Sequence, residues 1–254
     1  MGRVKEYMFE LREAEADAWA RSRLDNEDVD EESEEYQSAV QDYWDWQEYL
    51  SDKAEFEAEL EWLKDTGSYH IHQGFIRQLD ELKKFAEDGE GAFGAMKAKM
   101  VFSHSVTLLE TYLSDTSKML ISSSDAFFEN ALRNVDELKG AKYSLASLAA
   151  EPLTPRERAM KELGKILYHN LRKVKRVIEG TLGTRVEVDI GFLVGVVMKR
   201  HDIVHRNGRT NDGGITDVSL EECLTVIDEM KTFSGGLQRR INEVEESLLD
   251  DEPL

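Results

Sequence analysis

Residues 102–120 read FSHSVTLLETYLSDTSKML and have the clearest periodicity in the chain. The positions that repeat are separated alternately by four and three residues, and they are Phe102, Val106, Leu109, Leu113, Thr116 and Leu120. This spacing returns to the same side of an α-helix, as in the seam of a helical bundle. The stretch therefore predicts a helix that packs against several others.

The rest of the chain is also predicted to be helical. Only 3 of its 254 residues are proline and 41% are hydrophobic, which favours a folded protein of long helices over an all-β sandwich. Capping boxes begin at Thr154, which precedes Pro155, and at Ser219. Further helices are expected over 4–24, 36–64, 75–86, 126–138, 154–179, 190–206 and 220–248. The helix at 190–206 starts apolar on nearly all sides and predicts a buried central helix in an all-α fold.

The charge of the chain is large and unevenly distributed. The net charge is −20, which argues against a protein that coats a nucleic acid through its overall charge. Residues 1–66 hold 22 acidic and 7 basic residues, whereas residues 156–209 hold 13 basic and 6 acidic ones. We predict an acidic helical N-terminal extension over 1–90, with its boundary between 66 and 90, followed by a helical bundle over 91–254.

Cysteine content and hydropathy indicate the compartment. The chain has one cysteine, Cys223, which excludes an internal disulfide or a zinc site made of cysteines. The longest apolar stretch, near 191–198, is much shorter than the ~20 residues that a membrane-spanning helix needs. The N-terminal sequence lacks the apolar segment of a secretory signal. We therefore expect a cytoplasmic protein without membrane association.

Titratable side chains are concentrated in residues 199–209, which read KRHDIVHRNGR at the end of a predicted helix. On a helical wheel His201 and His205 lie about 40° apart, and Arg200 flanks them. Histidine exchanges protons near neutral pH, and arginine binds phosphate oxygens with two donors. This combination makes the helix end a candidate site.

The same residues also have ordinary structural interpretations. Asp202 and Arg206 are spaced as an i,i+4 ion pair, which contributes about 0.3–0.5 kcal/mol to a helix. His201 falls on the stripe of apolar residues of this helix and could be a buried core histidine. In that case the cluster would serve stability alone.

Arg200, four further residues and His205 resemble the R-x(4–6)-H motif of HEPN domains, the higher eukaryote and prokaryote nucleotide-binding domains. As in that family, the motif ends a late helix and precedes a loop and a final long helix. Residues 102–115, with Glu110 inside an apolar run, are similar to an early HEPN helix. The resemblance covers about residues 91–250. It implies a HEPN-like up-and-down helical bundle that dimerises and acts as a metal-independent endoribonuclease without cofactors, as in toxin–antitoxin and phage-defence effectors.

The resemblance also implies roles for individual residues. RNA carries its own nucleophile, the 2′-OH, so cleavage needs proton transfer and a cation at the phosphate. His205 is expected to transfer protons and Arg200 to bind the phosphate, with His201 as a second catalytic candidate. Asp202 would orient a histidine ring if it contacts one. The RNA backbone would be held by Lys199, Arg206, Asn207 and Arg209, and a homodimer would complete the site from two copies.

Two other functions fit the same residues. Many HEPN domains are catalytically inactive and serve as interaction or RNA-binding partners. Alternatively, His201 and His205 belong to an H-D-x-x-H string that differs by one residue from the zinc-protease motif, so a zinc-dependent hydrolase is a further alternative. Asn207 stands where HEPN toxins silenced by a nucleotidyltransferase have a tyrosine, which argues against regulation by adenylylation.

The acidic extension has two interpretations. It contains Trp44, Trp46 and Trp62, which a purely solvating acidic tail would lack. It therefore suits docking by a protein regulator or antitoxin. The other interpretation is a solvated helical extension that keeps the protein soluble.

Overall fold

The computed structural model describes residues 2–24, 29–88, 93–206 and 213–250, and these residues form helices and no β-strand. The all-α fold is therefore confirmed. The helices are α1 (Gly2–Arg21), α2 (Glu34–Asp65), α3 (Ser68–Glu87), α4 (Gly94–Ser123), α5 (Asp125–Asn134), α6 (Asp136–Lys139), α7 (Leu145–Ala150), α8 (Pro155–Gly164), α9 (Leu171–Leu182), α10 (Gly191–His205) and α11 (Leu220–Asp250). Within the described residues, none of the helices combines the length and the hydropathy that a membrane span requires.

The chain forms two compact units, residues 1–62 and 63–254. The division lies near the end of α2, whereas the sequence predicts a boundary between residues 66 and 90. Helix α3, which falls inside the predicted extension, contacts α4 and α11 in the larger unit. Its apolar side is buried there, including Phe75 and Leu79.

Helix α4 is the centre of the larger unit and carries the predicted seam. It contacts α3, α5, α8, α9, α10 and α11. All six seam positions are buried, and Phe102, Val106, Leu109 and Leu120 are fully inaccessible. Burial of a large apolar side chain contributes about 1.5–3 kcal/mol, so this seam is a main source of the stability of the bundle.

The helix predicted over 154–179 is wrong in its continuity. The capping box at Thr154 forms as expected, but α8 ends at Gly164 and α9 starts after Asn170. The Asn170 side chain accepts a hydrogen bond from the backbone N–H of Lys173 and thereby caps the new helix. As a result Leu167, expected inside the bundle, is 63% exposed. The helix predicted over 126–138 is likewise divided into α5 and α6.

Helix α10 is not the fully buried central helix that its composition predicts. It contacts α4, α9 and α11 through one side, where Leu193, Val196 and Val197 are buried. Phe192 and Met198 point away from that side and are exposed. The expectation is wrong because the described part of the larger unit packs against only one side of α10. The apolar residues on its other sides therefore stay exposed.

The single thiol gives a test of this packing. Cys223 is buried on α11 and donates a hydrogen bond to the carbonyl of Ala98 at 3.3 Å. Burial raises the pKa of the Cys223 thiol to about 11, and the thiolate is the reactive form. We expect Ellman's reagent to leave Cys223 unmodified in the folded protein near neutral pH and to react with it fully in guanidinium chloride. Rapid reaction of the folded protein would contradict this packing.

Candidate functional site

Helix α10 presents the candidate residues at its C-terminal end, and this end is held in place by two other helices. Lys199 Nζ lies 2.7 Å from both carboxylate oxygens of Glu222, in the first turn of α11. The same ammonium lies 5.7 Å from the centre of the Phe102 ring on α4. Because Phe102 is a core residue, these contacts fix the last turns of α10 relative to the bundle.

His201 and His205 lie side by side on the surface of the last turns of α10. Their ring centres are 4.8 Å apart and the ring planes are tilted by 44°. Both side chains are exposed, so the interpretation of His201 as a core histidine is wrong. Val204, on the apolar stripe that suggested burial, is 47% exposed, so the described helices do not cover this stripe at the end of α10. Two adjacent imidazoles are therefore accessible to a substrate.

Arg200 differs from the histidines in being half-buried. Its Nε is buried and has no hydrogen-bond partner among the described residues. Leaving such a donor unpaired costs about 1–3 kcal/mol. On the helix Arg200 lies about 100° from His201 and about 140° from His205. A phosphate bound at this end of α10 would give the half-buried guanidinium an anionic partner that the described residues do not supply.

The other charged residues of this helix end are neutralised within the chain. Arg206 Nη1 lies 2.9 Å from Asp202 Oδ1, which is the ion pair that the spacing predicts. Asp202 therefore pairs with Arg206, and no described hydrogen bond joins it to either histidine. Lys199 is paired with Glu222. Lys199, Arg200 and Arg206 are the lysine and arginine residues between positions 199 and 206. Of these three, only Arg200 has no carboxylate partner in the described part of the chain.

Two of the expected RNA-binding residues, Asn207 and Arg209, lie outside the described residues. A zinc site at His201 and His205 would need a third ligand, and the described parts of the chain place none beside them. In those parts no three His, Cys, Asp or Glu side chains lie close enough together to hold a metal ion. His201 and His205 thus remain a pair of adjacent imidazoles on the helix end that also carries Arg200.

The histidines continue a stripe along the uncovered side of α10. Val194, Met198, His201 and His205 follow one another at spacings of four, three and four residues. Met198 is 67% exposed, and Val194 is half-buried. This is the spacing with which two helices pack against each other. The stripe therefore links an uncovered apolar surface directly to the candidate site.

Sequence reasoning did not identify Val194, Met198 or Glu222 as part of the site. The first two could have been found from their spacing relative to the histidines, had α10 not been taken as buried all around. Glu222 has no such signal. It lies 23 residues from Lys199 and meets it only in the folded chain.

No protein-family model matches this chain, and no curated protein or solved structure is significantly similar to it. The candidate function therefore depends on the side chains described above. Among the described residues, these side chains provide two accessible imidazoles, one half-buried guanidinium whose Nε has no hydrogen-bond partner, and an adjoining stripe that no described helix covers.

Proposed function

We propose that this protein is a metal-independent endoribonuclease of the HEPN type that acts as a homodimer. The observation that carries the proposal is the exposed pair His201 and His205 at the end of the helix that also carries Arg200, whose buried Nε lacks a partner among the described residues. On the same proposal the enzyme acts in the cytoplasm as a toxin or an anti-phage defence effector. A nuclease of this kind needs no more than proton transfer and a cation at the phosphate.

The proposed reaction starts at the ribose 2′-OH. His205 removes the 2′-OH proton, and the 2′-oxygen attacks the adjacent phosphorus. The bond from phosphorus to the 5′-oxygen breaks, and a protonated histidine donates a proton to the departing 5′-oxygen. The products are a 2′,3′-cyclic phosphate and a 5′-hydroxyl. Arg200 stabilises the negative charge that builds up on the phosphate oxygens in the transition state.

The identity of the proton donor has two solutions within this proposal. His201 can donate from the same chain, because its ring centre is only 4.8 Å from that of His205. Alternatively, His205 of a second copy donates across a two-fold axis. The two copies could pair about a two-fold axis along the stripe of Val194, Met198, His201 and His205. Arg200 and His205 of both copies would then lie in one cleft. The exposure of Met198 supports this arrangement.

Purified full-length protein provides the direct test of the reaction. We expect it to cut single-stranded RNA in the presence of EDTA and to leave 2′,3′-cyclic phosphate ends, identified by mass spectrometry. An oligonucleotide with 2′-O-methyl groups at the cleaved positions should stay intact, because the nucleophile is blocked. Cleavage that requires a divalent metal, or cleavage of the blocked strand or of DNA, would refute the mechanism. Binding of RNA without any cleavage would favour the inactive HEPN-like alternative.

A further inference from the structure

The smaller unit, residues 1–62, has its own packing. Helix α1 and the first part of α2 contact each other through Tyr43, which is buried and meets Trp19 edge to face with ring centres 5.7 Å apart. The Tyr36 hydroxyl donates to Asp17 at 2.8 Å. That hydrogen bond and the neighbouring Arg21 hold the pKa of Asp17 below its usual value. The two helices thus form a defined surface and not a loose acidic tail.

A groove runs between these two helices. Its cavity volume is about 670 Å³, and its apolar lining includes Phe9, Ala16, Val40 and Trp44. Ala16 is buried and forms part of the floor, with Val40 half-buried beside it. Phe9 is 63% exposed and Trp44 37% exposed. An apolar groove of this size accommodates several side chains of a bound segment.

Carboxylates accompany the apolar lining. Glu13 and Glu31 are exposed in the same groove, and Asp17 is half-buried. Arg21 pairs with Asp17 at 2.7 Å and with Glu31 at 2.8 Å, so one positive charge offsets part of this negative charge. The groove nevertheless lies in a segment with a net charge of −15 over residues 1–66. A ligand that fits must therefore bring apolar side chains and positive charge together.

We propose that this groove is a docking site for a basic amphipathic helix of a partner protein. The apolar side of that helix would insert between Phe9 and Trp44, and its lysine or arginine residues would face Glu13 and Glu31. Exposed aromatic side chains are the residues that most often dominate the affinity of such interfaces. A nucleic acid is disfavoured by the charge of this unit, and an acidic segment is disfavoured for the same reason. The proposal does not depend on ribonuclease activity.

The test uses the full-length protein and a synthetic probe. The probe is a fluorescein-labelled amphipathic peptide of leucine and lysine, with leucines at helical positions i, i+3, i+4 and i+7. Its two controls are a peptide of the same composition in scrambled order and one with every lysine replaced by glutamate. Fluorescence anisotropy measures binding at low and at high salt. We expect the amphipathic basic peptide to bind at least tenfold more tightly than either control.

Variants of the protein locate the binding site. Phe9→Ala and Trp44→Ala should each weaken binding by about tenfold or more, the scale of an aromatic anchor residue. Trp46→Ala is the matched control, because Trp46 is exposed, stacks on Tyr49 and does not line the groove. It should change the affinity by less than about twofold. Glu13→Lys should weaken binding mainly at low salt, because screening already reduces this contribution at high salt.

Several results would overturn the proposal. Equal binding of the scrambled peptide would show attraction by charge alone, and equal binding to Phe9→Ala, Trp44→Ala and Trp46→Ala would place the peptide elsewhere. Absence of binding at all salt concentrations would reject the groove as a docking site for basic helices. Self-association that Phe9→Ala abolishes would identify a second copy of the chain as the occupant. All of these are binding measurements, so they are independent of whether the protein cuts RNA.

Discussion

His205→Ala is expected to lower the rate of RNA cleavage by about 100-fold or more, because a general acid–base residue contributes on that scale. The side chain is exposed at the end of α10, so its removal leaves no cavity in the core. The helical circular dichroism signal and the unfolding temperature should therefore stay unchanged. Added imidazole should restore part of the activity, because it can occupy the space of the missing ring and transfer the proton.

Arg200→Ala should cause a comparable loss through a different step. It removes the guanidinium that stabilises the charge on the phosphate, and imidazole should not restore activity. Arg200→Lys should remain impaired, because an ammonium lacks the paired donors of arginine. Matched controls are His70→Ala and Arg77→Ala, which replace exposed residues of the same types on α3. Full activity of His205→Ala, or equal loss in the control variants, would contradict the assigned roles.

His201→Ala distinguishes the two solutions for the proton donor. If His201 donates the proton within one chain, the loss of cleavage rate in His201→Ala should approach that of His205→Ala. If the donor is His205 of a second copy, the loss should be much smaller. The comparison requires only the cleavage rate of each variant under the same conditions.

Met198→Asp is expected to convert the proposed homodimer into monomers. Met198 lies in the uncovered stripe of α10, between Val194 and His201. Two copies of the stripe facing each other would bury two carboxylates close together in an apolar contact, and burial of unpaired charges is strongly unfavourable. Light scattering at micromolar concentration should report a dimer for the unaltered protein and a monomer for the variant.

If the proton donor is His205 of a second copy, the same variant should also lose ribonuclease activity although Arg200 and His205 are both intact. The reason is that such a cleft needs residues from two chains. Leu145→Asp is the control, since Leu145 is exposed on α7 and lies outside the α10 stripe. A dimer that persists in Met198→Asp would place the interface elsewhere. A fully active monomer would refute the composite site. The roles of Arg200 and His205 would then still be tested by their alanine variants.

Local sequence patterns were sufficient to predict those features whose interactions join residues close together in the chain. The seam of α4 is an example, because Phe102, Leu109 and Leu113 return to one side of the helix whatever packs against it. The capping box at Thr154 is another, because its two hydrogen bonds join residues only three apart. The pairing of Asp202 with Arg206 also follows from spacing within one helix.

Other features depend on which helices meet, and these were missed or misjudged. The helix breaks between α8 and α9 because Ile166 and Tyr168 pack into the interior there. Both side chains are buried although they lie in the connecting segment. Tyr168 donates its hydroxyl to the carbonyl of Leu163, which helps to hold the chain in this turn. A continuous helix over these residues would have placed Leu167 inward, as the periodicity suggested. The tertiary contacts favour the interrupted arrangement instead.

In the candidate site too, some features follow from the spacing of residues and others depend on which helices meet. The sequence by itself determined that Arg200, His201 and His205 share the end of one helix, because a helical repeat follows directly from residue spacing. Only the tertiary structure decided that both histidines are exposed and that Arg200 is half-buried, with no partner for its Nε in the part of the chain that the structure describes. It also decided that Glu222, rather than a neighbour in sequence, neutralises Lys199. Burial and long-range ion pairs depend on the positions of α4 and α11 around α10, and no spacing within α10 contains that information.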